Sequence, residues 1–301
     1  MLFSRFLASM VWLTLSIADA TSPQAWCGIE APSEETLKSL DTLRATELVS
    51  RRSPWVRRET INIPVHFHGV IDPDADRFST SAEKLQSQID VLNKAYGPHG
   101  IQFTMASSGQ VTDSKLAYFD TTSFFSNPDS DPSRVEYLKQ TRKGGYNELN
   151  IYLYTKLGSG FNGVCLMPQA NFPEKDLWRD GCHLLAGTMP GGNLTGYNIG
   201  FTAVHETGHW MGLLHPWGEK EGQCSGPGDR VDDTPVQSKP VFGCPKTPQN
   251  SCPGQAGVDN ADNYMDYAED TCYRKQKFTL GQEIRMHSSY IQLRSTHPSS
   301  R

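Results

Sequence analysis

The 301-residue sequence lacks any excess of basic charge, because 28 Lys and Arg face 33 Asp and Glu for a net charge of −5. A nucleic-acid binder normally carries a basic patch and a high pI, so that partner class is excluded. Also missing is any run of about 18 apolar residues, without which no helix spans a membrane. There is no internal repeat and no low-complexity stretch. A hydrophobic share of 37% is ordinary for a globular chain and excludes both disorder throughout and a collagen-like repeat. The length accommodates one large domain or two modest ones. Cysteine is sparse: seven are too few for a miniature disulfide scaffold, and their number is odd.

What the N-terminus does hold is Arg5 followed by an apolar run from Phe6 to Ile17, closed by Ala18-Asp19-Ala20. A positive residue, a short apolar core and an A-x-A ending mark a signal peptide, so residues 1–20 are predicted to be removed. The run is too short for an uncleaved anchor. The chain is therefore expected to be secreted, beginning near Thr21, in a compartment where disulfides persist. Residues 21–58 are polar and weakly patterned and hold two dibasic pairs, Arg51-Arg52 and Arg57-Arg58. They read as a pro-segment with processing sites, and a solvated surface carrying two arginine pairs is an equal alternative.

A globular domain is expected over residues 59–301. Ile61, Ile63, Val65 and Phe67 alternate with polar neighbours, the period of a half-buried strand. Pro64 has no N–H to donate and favours an edge position or a bulge. His66 and His68 fall on the polar face and read as surface histidines rather than metal ligands. Leu85, Ile89 and Leu92 recur at helical spacing behind a Thr80-x-x-Glu83 capping box, and Gly97-Pro98 stops that helix. Ile101, Phe103 and Met105 alternate as a second strand, and Leu149, Ile151 and Leu153 as a third. Residues 106–147 read as loops with at most a short helix near Val135 to Lys139. A Thr279-x-x-Gln282 box caps a last helix through Ile284, His287 and Ile291, where His287 reads as a core or surface residue. Strands mixed with helices imply an α+β or α/β layer.

The chemistry lies in His205-Glu206-Thr207-Gly208-His209-Trp210-Met211-Gly212-Leu213-Leu214-His215. Positions i and i+4 stack on one helix face, so His205 and His209 can offer imidazoles to one Zn2+. Glu206 points beside the metal, where it can take a proton from bound water. Gly212 tolerates a positive φ, and the reversal it permits brings His215 round as a third ligand. Three ligands leave one position open, the arrangement of a catalytic site. H-E-x-x-H alone arises by chance on the order of once in a hundred such chains, and the added Gly and His lower that by roughly 400-fold.

Residues 205–215 resemble the active-site helix of the metzincin zinc proteases, and Tyr264-Met265-Asp266-Tyr267 resembles their Met-turn. Gly191-Gly192-Asn193-Leu194-Thr195-Gly196-Tyr197-Asn198, the helix written His-Glu-Thr-Gly-His-Trp, and Gly228-Asp229-Arg230-Val231-Asp232-Asp233-Thr234-Pro235 are similar to the pappalysin family, in its small secreted branch. The similarity spans about residues 60 to 295. It implies an α+β, metzincin-like catalytic domain: a twisted mixed sheet, two long helices above it, and a smaller irregular C-terminal subdomain beginning near residue 212. The substrate is expected in the cleft between these halves. Met265 is expected as an apolar floor under the zinc ligands, and Tyr267 as the group that steadies the oxyanion.

The resemblance also favours disulfides from Cys224 to Cys252 and from Cys244 to Cys272, leaving Cys165 and Cys182 to pair with each other. Asn193-Leu194-Thr195 is a glycosylation sequon. Asp229, Asp232, Asp233 and Thr234 offer hard oxygens in one loop, which ulilysin-like proteins use for Ca2+. Cys27-Gly28 resembles the short motif by which pro-segments of this family reach zinc. The alternatives for Cys27 are an unpaired thiol in a tail or a disulfide to Cys165 or Cys182. The expected function is a secreted zinc endopeptidase acting on proteins or peptides, with Glu206 as base. The competing class is an inactive zinc-containing binding protein of the same fold, which would be expected to lose Glu206 first. A zinc hydrolase acting on something other than protein is disfavoured by the resemblance alone.

Overall fold

A computed structural model describes residues 27–28, 32–50, 59–74, 80–218, 221–272 and 277–295. The signal sequence and both dibasic pairs lie outside these residues. In chain order the helices and strands are α1 (Glu34–Ser50), β1 (Ile61–Ile71), α2 (Ala82–Tyr96), β2 (Ile101–Thr112), β3 (Tyr118–Phe119), α3 (Thr121–Ser126), α4 (Pro132–Thr141), β4 (Leu149–Tyr154), β5 (Lys156–Leu157), β6 (Gly163–Cys165), β7 (Cys182–Leu185), α5 (Phe201–Trp210) and α6 (Leu280–Ser289).

Five strands form one sheet in the order β2-β1-β4-β7-β6. The first four run parallel and β6 returns antiparallel on β7. The sheet is therefore mixed, as expected. One face carries Ile63, Val65, Phe67, Leu149, Ile151 and Leu153 against Leu85, Ile89 and Leu92 of α2 and Val204 of α5. The opposite face carries Val70, Tyr152 and Tyr154 against Phe119, Phe124 and Leu138. A mostly parallel sheet covered on both sides leaves no face to solvent around its central strands. That corrects the reading of His66 and His68, which are buried rather than on the surface. His66 meets Ser107 at 2.7 Å and Glu148 at 2.8 Å, while His68 bonds Asn150 and stacks on Tyr152.

β1 lies second in the sheet, so Pro64 does not mark an edge strand. The register against β2 shifts between Val65 and His66, and pairing with β4 begins only at Val65. Pro64 thus sits beside a bulge where the β4 side demands no N–H. The cap of α2 is Ser81, not Thr80: its hydroxyl accepts from the Lys84 amide, while Thr80 bonds Gln110. The final helix has the expected box, with Thr279 and Gln282 capping reciprocally.

Several elements go beyond what the sequence predicts, among them the short strands β3, β5, β6 and β7, and the short helix expected near Val135 to Lys139 extends over the whole of α4. Both α3 and α4 form within 106–147, and α1 forms inside the stretch read as weakly patterned. Beyond Gly212 no α-helix or strand longer than a single bridge occurs among the described residues until α6. Disulfides Cys224–Cys252 and Cys244–Cys272 staple this half, and Cys165–Cys182 joins two directly opposed residues of β6 and β7. Arg294 closes the chain onto α5, donating to the Trp210 carbonyl at 2.8 Å and to Asp180 at 3.0 Å.

Candidate metal centre

α5 is buried along almost its whole length, which fits a helix with few polar residues outside its motif. It starts at Gly200, whose φ of 93° only glycine adopts easily. Gln88 of α2 donates to the Gly200 carbonyl at 3.0 Å, and the Tyr96 hydroxyl donates to the Val204 carbonyl at 2.7 Å. Asp270 accepts from the Ile199 amide at 3.1 Å ahead of the first turn. The helix is thus fixed from the sheet side and from the irregular half.

One turn on, His205 and His209 face the same way. Gly212, at φ 91°, reverses the chain, and the Leu213 amide returns to the Gly208 carbonyl at 2.9 Å. His215 then comes back over the helix. The three Nε2 atoms lie 3.0, 3.1 and 3.2 Å apart. Tetrahedral zinc with Zn–N of about 2.0–2.1 Å requires nitrogens about 3.3–3.4 Å apart, so the donor set fits that ion with little adjustment. His205 Nδ1 donates to the Tyr264 carbonyl and His209 Nδ1 to the Leu213 carbonyl, both at 2.8 Å. These bonds put the protons on Nδ1 and leave the Nε2 lone pairs converging on one point. Burial holds all three imidazoles neutral, with His209 down to about 4 and the other two well below their ordinary value. Three converging lone pairs repel one another unless a cation lies between them.

Glu206 is fully buried, and burial pushes its carboxyl up to about 8 against the pull of the Cys27 side chain and the Cys165 backbone. It lies beside β6, where a Cβ on Gly163 would sit 2.7 Å from Glu206 Cγ, so glycine is what lets the carboxylate stand there. Met265 is fully buried beneath the helix against Gly208. The Tyr267 ring lies 5.0 Å from the His215 ring and 5.6 Å from that of His205, and its hydroxyl donates to the Cys27 carbonyl at 3.4 Å.

Cys27 is buried and outside the three disulfides. Its sulfur and the three imidazole nitrogens all lie within 4.8 Å of one another. The Gly28 amide donates to the Gly163 carbonyl at 2.9 Å, so the segment adds a bridge to the outer edge of β6. The other Cys and acid cluster, Cys244, Glu269 and Cys272, has both sulfurs committed to a disulfide.

Of the four loop residues read as calcium donors, the side chains of Asp229 and Thr234 adjoin each other, while Asp232 and Asp233 are held by partners outside the loop. Asp232 pairs with Arg44 of α1 at 2.6 Å, and Asp233 accepts from Thr279 and the Gly281 amide. Asp229 and Thr234 are buried, with the Asp229 carboxyl raised to about 8 by burial. Asn193 is exposed in its loop. Trp217 escaped the sequence reading, because nothing in a lone Trp two residues past His215 signals a role. Its ring stacks on His215 at 4.4 Å and abuts Tyr267 at 4.8 Å.

A family model described as pregnancy-associated plasma protein-A, the M43 peptidases, matches residues 133–290. An extracellular metalloprotease of Neurospora crassa is 40% identical over 273 residues, covering 89% of each chain. Extracellular metalloprotease 1 of Coccidioides posadasii is 39% identical over 237 residues, covering 78% of this chain and 79% of that one. Among solved structures, mature mirolysin of Tannerella forsythia in complex with a cleaved peptide has a TM-score of 0.64 at 26% identity, covering 79% of this chain and 97% of its own. A promirolysin variant has a TM-score of 0.65 at 25% identity, covering 89% of this chain and 97% of its own. The chain belongs to the pappalysin family of metalloproteases, with the metzincin fold, and it is an extracellular protein that acts on proteins or peptides.

Proposed function

We propose that this pappalysin-family metalloprotease is a zinc endopeptidase made as a latent precursor. The observation that carries the reading is the convergence of three neutral Nε2 atoms within 3.2 Å, with the Glu206 carboxylate beside them. His205, His209 and His215 would hold Zn2+, which when bound acidifies water and polarises a carbonyl. Glu206 takes a proton from the attacking water and passes it to the leaving amine, a task suited to a carboxyl whose affinity for protons burial has raised. Tyr267 donates to the developing oxyanion once its hydroxyl is free of the Cys27 carbonyl. Met265 keeps the floor beneath the ligands dry.

In the precursor, residues 1–20 serve as signal peptide, 21–58 as pro-segment and 59–301 as catalytic domain. Cys27 would supply a further ligand to a bound zinc, since a thiolate is a soft donor, and would so compete with the water that Glu206 must deprotonate. This is supported by its distance from the imidazoles and by the larger share of the chain covered by promirolysin than by the mature enzyme. Asn193 carries a glycan. Asp229, Asp232 and Thr234 take Ca2+ once Arg44 no longer holds Asp232.

The test is a peptide library offered to the full chain, before and after cleavage within 51–58, with and without a zinc chelator. Internal cleavages that appear after processing and vanish with chelator are expected. Removal of terminal residues alone would refute the endopeptidase, and activity indifferent to chelator would refute the metal.

A further inference from the structure

We propose that the groove under α1 is a receptor for the severed N-terminal segment, so that residues 34–50 keep it docked after the chain is cut ahead of β1. This rests on the precursor reading above and concerns how that precursor is relieved. The contact has two layers. Leu40 and Leu43 are buried with Met167, Leu214 and Leu293, and Leu37 flanks them. Alongside, three charged residues one helical turn apart meet three of opposite sign: Asp41 with Arg230, Arg44 with Asp232, and Glu47 with Arg285. Minus, plus, minus on the helix faces plus, minus, plus on the groove, a pattern that sets orientation and register as well as attraction.

The last pair is the strongest argument. Arg285 Nε and Nη2 donate to the two Glu47 oxygens at 2.8 and 3.0 Å, and the Arg285 side chain is fully buried. Ser288 adds a donor to the same carboxylate. Departure of α1 would break this two-bonded, water-excluded pair, a charge-assisted contact that favours keeping the segment in place. None of these contacts uses the imidazoles or Cys27. Cys27 and Gly28 contribute a thiol packed against Trp217 and Tyr267, the Tyr267 hydroxyl bond and one backbone bridge, whereas α1 contributes a buried apolar stripe and three ion pairs. Cutting the chain and losing the segment are therefore separate events, and the second is governed by α1.

The groove also touches what it must control. Leu214 immediately precedes His215, and Arg230 and Asp232 lie in the loop that follows it. A free 17-residue helix is marginal in water, so the segment folds upon the groove and unfolds on leaving.

To test this, a site for a sequence-specific protease is inserted within 51–58 of the full chain, which also carries Cys27→Ala and Glu206→Ala to remove the thiol and self-digestion. The cut chain is passed over a sizing column at physiological salt and each fraction is weighed by mass spectrometry. The N-terminal fragment is expected to co-elute with the rest, and retention is expected to fall at least tenfold with Leu40→Ala or Glu47→Gln. Folding of each variant is checked before cutting by its thermal midpoint and three disulfides. Should a variant fail that check, excess synthetic 34–50 peptide added to the cut parent must displace the fragment, and the same peptide with Glu47→Gln must not. A fragment that separates at once with α1 unaltered, or one equally retained in both variants, overturns the proposal. The readout is mass rather than proteolysis, so a failure of the precursor reading would appear separately, as equal activity before and after cutting in the chain with Glu206 and Cys27 intact.

Discussion

Glu206 stands fully buried beside β6 because Gly163 is bare to admit it. Glu206→Ala is expected to lower peptide hydrolysis by roughly 10²–10⁴-fold while the bound zinc, counted by atomic absorption, stays at one per chain. His209→Ala should instead lose metal and activity together. Away from the site, burial lowers His68 to about 4 and His183 to about 3, helped by Arg134 and His68 facing His183, and by His66, Lys143 and Arg142 facing His68. Both folded-state values lie below the ordinary 6.5, so the unfolded chain takes up protons first as pH falls. The stability of the neutral rings is complete above about pH 6.5 and drains away below it, at up to about 1.4 kcal/mol per pH unit for each histidine. His183→Phe, which can keep the stack on Phe119, should flatten urea midpoints measured between pH 6.5 and 4. If the slope in the variant equals that of the parent, His183 is not the source. The zinc motif was legible because helical period alone brings His205 over His209. His66 and His68 were not, because a period of two names a face without saying what covers it.

At the scale of elements, legibility followed length and contrast. β1, β2, β4 and α2 carry long, regular apolar spacing and were readable. β6 and β7, of three and four residues, are too short to display any period, yet β6 walls the site. α1 hid for a different reason: its apolar positions are few, and its order comes from docking rather than from its own propensity. The turn after α5 depends on one residue. A Cβ at Gly212 would collide with Ser289 and would have to adopt φ near 91°. Gly212→Ala is therefore expected to cost about 1–3 kcal/mol in chemical denaturation and to weaken zinc retention through His215. A variant with parental stability and unchanged metal affinity would show that the reversal survives without glycine.

For the molecule as a whole, the sheet half stands on packing and the irregular half on two disulfides and buried carboxylates such as Asp266, which accepts from Gln237, Val241 and Tyr267. The latency and calcium proposals belong to this scale, because Cys27 and Arg44 reach from the N-terminal segment to the imidazoles and to Asp232. With 51–58 made uncleavable, Cys27→Ala is expected to raise peptide hydrolysis at least tenfold over the same chain with the thiol; equal rates would dismiss it as the switch. Millimolar Ca2+ added to calcium-stripped, zinc-replete protein should raise the thermal midpoint by a few degrees, and more in Arg44→Ala, where Asp232 has lost its partner. An unchanged midpoint in both would remove calcium from the account. The pairing of four cysteines was suggested by resemblance and that of Cys165 with Cys182 by what then remained, none of it by their spacing, and the convergence of Cys27 on the imidazoles depends on a fold that composition cannot display. β6 has one more consequence, for colloidal behaviour. Its outer edge is bridged by Cys27 and Gly28, and removal of that segment, if the proposed processing occurs, would leave an unpaired sheet margin facing solvent. Such margins invite copies of a protein to zip together, but this one is three residues long and pinned to β7 by Cys165–Cys182. It offers too few backbone groups to nucleate a fibre, so the processed protein should stay dispersed at concentrations where a longer open strand would aggregate.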